Sequence, residues 1–113
     1  MSHAIGADQE LRLHHGTLNG VILPTILRFN KDHVGDKYAR IARAMGKAES
    51  VDLADEIEKL NETIGLPKGL AEMGITEDMI PHLVAHSMTD PSNATTPRLP
   101  SEEEWTKLFM EAM

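Results

Sequence analysis

Residues 13–30 read LHHGTLNGVILPTILRFN, and this stretch sets two adjacent histidines directly before a long apolar run. Its apolar side chains recur at spacings of three and four, at Leu18, Val21, Ile22, Ile26 and Phe29. This period predicts an α-helix over about 17–29. Because the run is apolar on most sides, we expect a helix buried at the centre of the domain.

Pro24 lies inside this predicted helix. Proline has no amide to donate to the carbonyl four residues back, which here belongs to Gly20, and its ring presses on that carbonyl. The glycine leaves some room for the chain to adjust. We therefore expect a kink in the helix at this point.

Helical periodicity also dominates the rest of the chain. It predicts four more helices, over about 37–45, from after Ser50 to about 64, from 76–78 to 88, and from Ser101 to about 112. Ser101 and Glu104 form a capping box at the start of the last helix. Residues 89–100 contain three prolines and are expected to form a stiff surface loop without a helix. The sequence thus predicts an all-α, five-helix bundle-like domain over residues 1–113.

Two of these helices have distinct inner and outer faces. The last helix is expected to bury Trp105, Leu108, Phe109 and Ala112. The third, with Ser50 as its N-cap, is expected to turn inward Val51, Ala54, Ile57, Leu60 and Ile64. Its solvated face would then carry Asp52, Asp55, Glu56, Glu58, Lys59 and Glu62.

Composition limits the function classes. The net charge is −7 at pH 7, which argues against binding nucleic acid or an anionic membrane, since both need a face rich in Lys and Arg. The chain has no cysteine, which excludes disulfides, Cys-ligated zinc and iron–sulfur clusters. No apolar run approaches the roughly 18 residues of a membrane helix, and residues 1–16 do not resemble a signal peptide. We therefore expect a cytoplasmic protein.

Histidine is the residue type that points to chemistry, because neutral imidazole is a common metal ligand. Adjacent side chains diverge, so at most one of His14 and His15 is expected to bind an ion. The alternative is that both are simply exposed residues before a helix. His82 and His86 lie four residues apart, a spacing that can bind metal, but the glutamate of a zinc protease motif is missing. We expect these two to be surface or half-buried residues.

Residues 2–30 resemble the start of the helical C-terminal domain in iron-containing (group III) alcohol dehydrogenases. The matching residues are His3, Ile5, Gly6 and Ala7, then His15, Gly16, Asn19, Gly20, Leu23, Pro24, Arg28, Phe29 and Asn30. Asn19–Gly20 stands where the family usually has Asn–Ala. Residues 38–46, 64–75 and 95–113 are similar to later segments of the same domain, so the resemblance covers nearly the whole chain.

The resemblance implies an enzyme that oxidises alcohols or reduces aldehydes with NAD(P) at a divalent iron or zinc ion between two domains. His15 matches the histidine that serves as the fourth metal ligand, after an aspartate and two other histidines. His3 matches a histidine near the nicotinamide and substrate, for which a proton-relay role is implied. The metal would act as a Lewis acid on the substrate oxygen.

In this family the other three ligands and the nucleotide-binding domain precede the segment that resembles this chain. We therefore expect the C-terminal metal-site domain of such an enzyme, inactive on its own and without tightly bound metal. An apolar exposed face would favour a homo-oligomer or a complementing N-terminal half. Two alternatives remain: a stand-alone helical oligomerisation or binding module, and a small metal-binding protein in which His3, His14 or His15 of two chains complete a site.

Overall fold

The computed structural model describes residues 1–7 and 13–113, and every regular element within them is helical. The α-helices are α1 (Ser2–Gly6), α2 (His15–Asn30), α3 (Lys37–Ala44), α4 (Leu53–Thr63), α5 (Ile80–Met88) and α6 (Glu102–Glu111). Short 3₁₀ helices cover Lys31–His33, Ala71–Met73, Glu77–Met79 and Pro91–Thr95. The predicted all-α class is confirmed.

The structure contains several short helices that were not predicted, and two of them bear on the site. The first is α1, whose five residues are too few to show a period in the sequence. The second is the 3₁₀ helix Pro91–Thr95, within a segment that we expected to be a loop without a helix. Asp90 caps it by accepting a hydrogen bond from the backbone N–H of Ser92, and Pro91 supplies a fixed φ at its first position.

The core confirms a central position for α2. Leu18, Val21 and Ile22 are buried and pack with side chains from α1, α5 and α6. The helix lies against α4 on one side and α1 on another, while α5 pairs with α6. Trp105, Leu108, Phe109 and Ala112 are all buried, and the Ser101–Glu104 capping box is present. Within the described residues, no helix is long and apolar enough to cross a membrane.

Asn61 provides the hydrogen bond that Pro24 cannot make. Pro24 is buried within α2, so the carbonyl of Gly20 has no amide donor four residues later. The Asn61 side chain, on α4, donates its Nδ2–H to this carbonyl at 2.8 Å. The proline therefore leaves an acceptor that a neighbouring helix uses, which fixes α4 against α2.

We expect Asn61→Ala to destabilise the domain by about 1–2 kcal/mol, because it leaves a half-buried carbonyl without its partner. In a Pro24→Ala background the loss should shrink, since residue 24 regains the amide that bonds the Gly20 carbonyl. Urea unfolding of the four proteins in this double-mutant cycle measures the coupling. An equal loss in both backgrounds would contradict this role of Asn61.

The orientation of α4 differs from the prediction. Its N-cap is Asp52, which accepts hydrogen bonds from the Ala54 and Asp55 backbone N–H groups, and Ser50 lies outside the helix. The expected inward residues Leu60 and Ile64 are 44% and 60% exposed.

Ion pairs across the two helices account for this orientation. Arg28 of α2 bonds Asp55 at 2.8 Å and Glu58 at 2.7 Å. Lys31, just after α2, bonds Asp52 at 2.7 Å. Together with Asn61, these contacts join one polar side of α4 to α2, while Leu60 and Ile64 farther along the helix remain exposed.

Glu56 also differs from the prediction, because it is buried where an exposed side chain was expected. We expected it on the solvated face of α4, but its side chain is 9% exposed and lies between Lys47 at 2.7 Å and Lys59 at 2.6 Å. Hydrogen bonds from Lys47 and then Lys59 lower the pKa of Glu56 below its ordinary value. The carboxylate thereby links α4 to the segment after α3.

This lowered pKa predicts acid sensitivity. Because the pKa of Glu56 is lower in the folded protein than in the unfolded chain, its stabilising contribution is present at neutral pH. It should disappear as the pH falls below the ordinary glutamate pKa of about 4.3. Glu56→Gln should therefore flatten the acid limb of the unfolding free energy against pH. Glu62→Gln, on the exposed side of the same helix, is the control; equal flattening in both variants would contradict the assignment.

Candidate functional site

The histidine pair before α2 divides into two distinct roles. His14 is the N-cap, and its Nδ1 accepts a hydrogen bond from the backbone N–H of Thr17 at 3.4 Å. Its ring is thus turned back over the first turn of its own helix. His15 is the first helical residue, and its side chain is exposed. Of the two, His15 is the one whose ring is not used by the helix cap.

His3 lies directly against His15. The two rings are stacked, with centroids 5.2 Å apart and planes inclined by 16°. Helix α1 makes this possible because Ala4 and Ile5 are buried in the core and hold the short helix against α2 and α5. The structure thus brings together the two histidines that the resemblance singled out.

Asp90 completes this cluster and was not identified from the sequence. Its Oδ2 lies 2.9 Å from His3 Nδ1, although the two residues are 87 positions apart. Its Oδ1 accepts hydrogen bonds from the Ser92 backbone N–H at 2.8 Å and from the Ser92 hydroxyl at 2.6 Å. The Asp–Pro–Ser order signals a capped turn, but nothing in the sequence signals His3 as the partner.

The hydrogen bonds to Asp90 determine its charge. The Ser92 hydroxyl and backbone N–H, followed by His3, lower the pKa of Asp90 to about 2. The group is therefore a carboxylate at neutral pH and can only accept hydrogen bonds. Consequently the proton in the Asp90–His3 contact belongs to His3 Nδ1, and in the neutral ring Nε2 is left as the acceptor.

An open cleft of about 420 Å³ adjoins this cluster. Its lining includes Ser2, which precedes His3, and Ser92, which hydrogen-bonds Asp90. Asn19, one turn after His15, also lines it. Leu23 and Trp105 provide apolar surface. The volume is in the range of small-molecule sites. The side chains of His3, His15 and Asp90 lie beside this cleft and are not part of its lining.

A second groove, of about 500 Å³, lies between α2 and α6. Its main cations are already engaged: Arg28 binds Asp55 and Glu58, while Arg98 bonds Glu104 and stacks on Phe29. Both arginines of this groove therefore already have partners within the domain.

The remaining histidines lie elsewhere. His82 and His86 are exposed on α5, which confirms the expected surface position, and His33 is exposed in the 3₁₀ helix after α2. Within residues 1–7 and 13–113, no three His, Cys, Asp or Glu side chains come together to hold a metal ion. In the described part of the chain, the site thus presents the exposed imidazole of His15 next to the His3–Asp90 pair, in which His3 is also exposed.

Comparison with known proteins identifies the family that this chain resembles. The sequence profile of the C-terminal part of the Fe-containing alcohol dehydrogenase family matches residues 1–113. The 4-hydroxybutyrate dehydrogenase of Cupriavidus necator is 37% identical over 120 residues, covering 100% of this chain and 31% of the relative. The lactaldehyde reductase of Escherichia coli (strain K12) is 32% identical over 120 residues, covering 99% and 31%.

A solved structure agrees with these matches. The crystal structure of a 1,3-propanediol oxidoreductase superposes with a TM-score of 0.90 at 27% identity, covering 99% of this chain and 31% of that one. The chain therefore spans about 31% of the length of the proteins it matches.

Proposed function

The chain belongs to the Fe-containing alcohol dehydrogenase family, whose C-terminal domain it carries, and on this basis we propose that it supplies His15 as a metal ligand and His3 as a proton-carrying group to an NAD(P)-dependent alcohol dehydrogenase. The observation that supports this most is the stack of His3 on His15 with Asp90 behind it. The stack supports the proposal because it sets the exposed ring of His15 beside the His3 ring that Asp90 contacts.

The residues present fit one position of a divalent iron or zinc site. The exposed ring of His15 is held at the start of a long helix, and imidazole suits both metals. Because the described residues contain no three-ligand group, the other donors would come from the part of the enzyme that corresponds to the rest of its relatives' length. When bound, the ion would polarise the substrate oxygen as a Lewis acid.

The chain's own residues would bind substrate and move a proton. Asp90 keeps His3 in one orientation with its proton on Nδ1, so that Nε2 can accept a proton from the alcohol side and return it in aldehyde reduction. The cleft beside it would hold a short carbon chain along Leu23 and Trp105. The named relatives act on small hydroxylated compounds, and we propose a short-chain alcohol or aldehyde here.

We also propose that the uncovered apolar side of α4 is a contact surface. Leu60 and Ile64 lie one turn apart and are largely exposed. Apolar pairs of this kind favour self-association or a complementing N-terminal half. We further propose a cytoplasmic location.

A fusion enzyme tests the proposed function. In it, the C-terminal part of the Cupriavidus necator 4-hydroxybutyrate dehydrogenase that this chain covers is replaced by residues 1–113. We expect NAD-dependent turnover of 4-hydroxybutyrate by the fusion enzyme and none by the isolated chain. A folded fusion enzyme without activity, or an active isolated chain, would contradict the proposal.

A further inference from the structure

A second pair of histidines lies on the surface of α5. His82 and His86 are four residues apart on a regular nine-residue helix, and both are exposed. Their ring centroids lie 5.3 Å apart with planes inclined by 42°. The two rings therefore occupy neighbouring positions over one turn of the helix.

The buried face of α5 fixes the backbone spacing of this pair. Ile80, Leu83, Val84 and Ser87 are buried, so α5 is anchored to the core along the side opposite the histidines. The backbone spacing of the pair is therefore fixed, and binding an ion would require only the two side chains to reorient. A fixed backbone favours binding because only the side chains lose conformational freedom when the ion binds.

The chemistry of two adjacent imidazoles selects a class of ion. A nitrogen ligand bonds Zn²⁺ at about 2.0–2.1 Å, so two rings with centroids 5.3 Å apart can each turn one nitrogen toward a shared ion. Imidazole favours zinc, copper and nickel, whereas magnesium and calcium prefer oxygen ligands. With two protein ligands, water would occupy the other coordination positions.

We propose that His82 and His86 form a chelating site for a late first-row divalent ion such as Zn²⁺, on a different helix from His15. This site is independent of the proposed dehydrogenase function, because it uses neither His3 nor His15 and needs no other part of an enzyme. Exposure of both rings leaves the site open to ions from solution.

The test is a calorimetric titration of the full 113-residue chain, produced without a polyhistidine tag, with Zn²⁺. We expect His82→Ala and His86→Ala each to weaken binding at this site at least about tenfold, because either variant removes the chelate. The variant that combines His82→Ala with Ala85→His keeps six histidines but makes the pair adjacent. Its side chains then point about 100° apart, and it should lose the same affinity.

His33→Ala and His3→Ala are the controls, and binding at this site should persist in both. Circular dichroism confirms that each variant is folded. Zn²⁺ binding that survives both single substitutions on α5, or that disappears with His3→Ala instead, would overturn the proposal. An unchanged affinity in the relocated pair would show that histidine number, and not the spacing on α5, determines binding.

Discussion

Gly69→Ala is expected to lower the unfolding free energy by about 2–4 kcal/mol. A Cβ built on Gly69 would overlap the carbonyl oxygen of Met113 and lie 2.6 Å from its carbonyl carbon. These atoms are backbone and cannot turn aside as a flexible side chain would. The residues after Gly69 also bind this terminus, because the Leu70 N–H bonds the Ala112 carbonyl at 2.8 Å and the Ala71 N–H bonds that of Met113 at 3.3 Å.

The substitution therefore strains the contact between the 66–75 connector and the end of α6, where Leu70 and Phe109 are both fully buried. Urea unfolding gives the free energy. Gly6→Ala is the matched control, because its new Cβ would meet His15 only at an ordinary 3.8 Å. A loss at Gly69 no larger than that at Gly6 would show that the connector does not depend on this close approach.

His3→Ala is expected to lower kcat of the fusion enzyme by about 100-fold or more, within the range for a general acid–base group. The reason is that the variant removes the ring whose Nδ1 is held by Asp90 and whose Nε2 exchanges the proton. Metal content should not change, because His3 is not proposed as a ligand. Steady-state kinetics and elemental analysis of the same preparation separate the two effects.

Asp90→Asn distinguishes positioning from chemistry. An amide can accept the hydrogen bond from His3 but carries no charge, so kcat should fall by less than in His3→Ala. His33 is an exposed histidine outside the site, so His33→Ala should leave kcat unchanged. A His3→Ala enzyme that retains full kcat would show that His3 is not a proton relay. A His3→Ala enzyme that loses both kcat and the metal would show that His3 acts on the metal site and not on the proton.

The sequence predicted those elements whose signals are local. The faces of α2 and α6 followed from their regular apolar period, and the Ser101 capping box was visible in four residues. By contrast, α4 turns its Leu60 and Ile64 outward because Arg28, Lys31 and Asn61 hold its polar side. Those contacts join residues distant in the sequence, and no period reveals them.

The candidate site divides in the same way. Family resemblance selected His3 and His15 individually, and the capping role of His14 gives a local reason to prefer its neighbour. Neither signal showed that the two rings stack. Asp90 was missed because its partner lies 87 residues away and meets it only through the packing of α1 on α5. The metal-ligand role of His15 remains a prediction.

The most direct test of that role is the metal content of the fusion enzyme and its variants after dialysis. We predict one tightly bound iron or zinc ion per chain in the parent. The same content is expected in His14→Ser, which removes the neighbouring imidazole but keeps a good N-cap. His15→Ala should lose the ion, with a decrease in affinity above the roughly 10–100-fold typical of residues that only support a ligand. A folded His15→Ala enzyme that retains one ion per chain would contradict the assignment of His15 as a ligand.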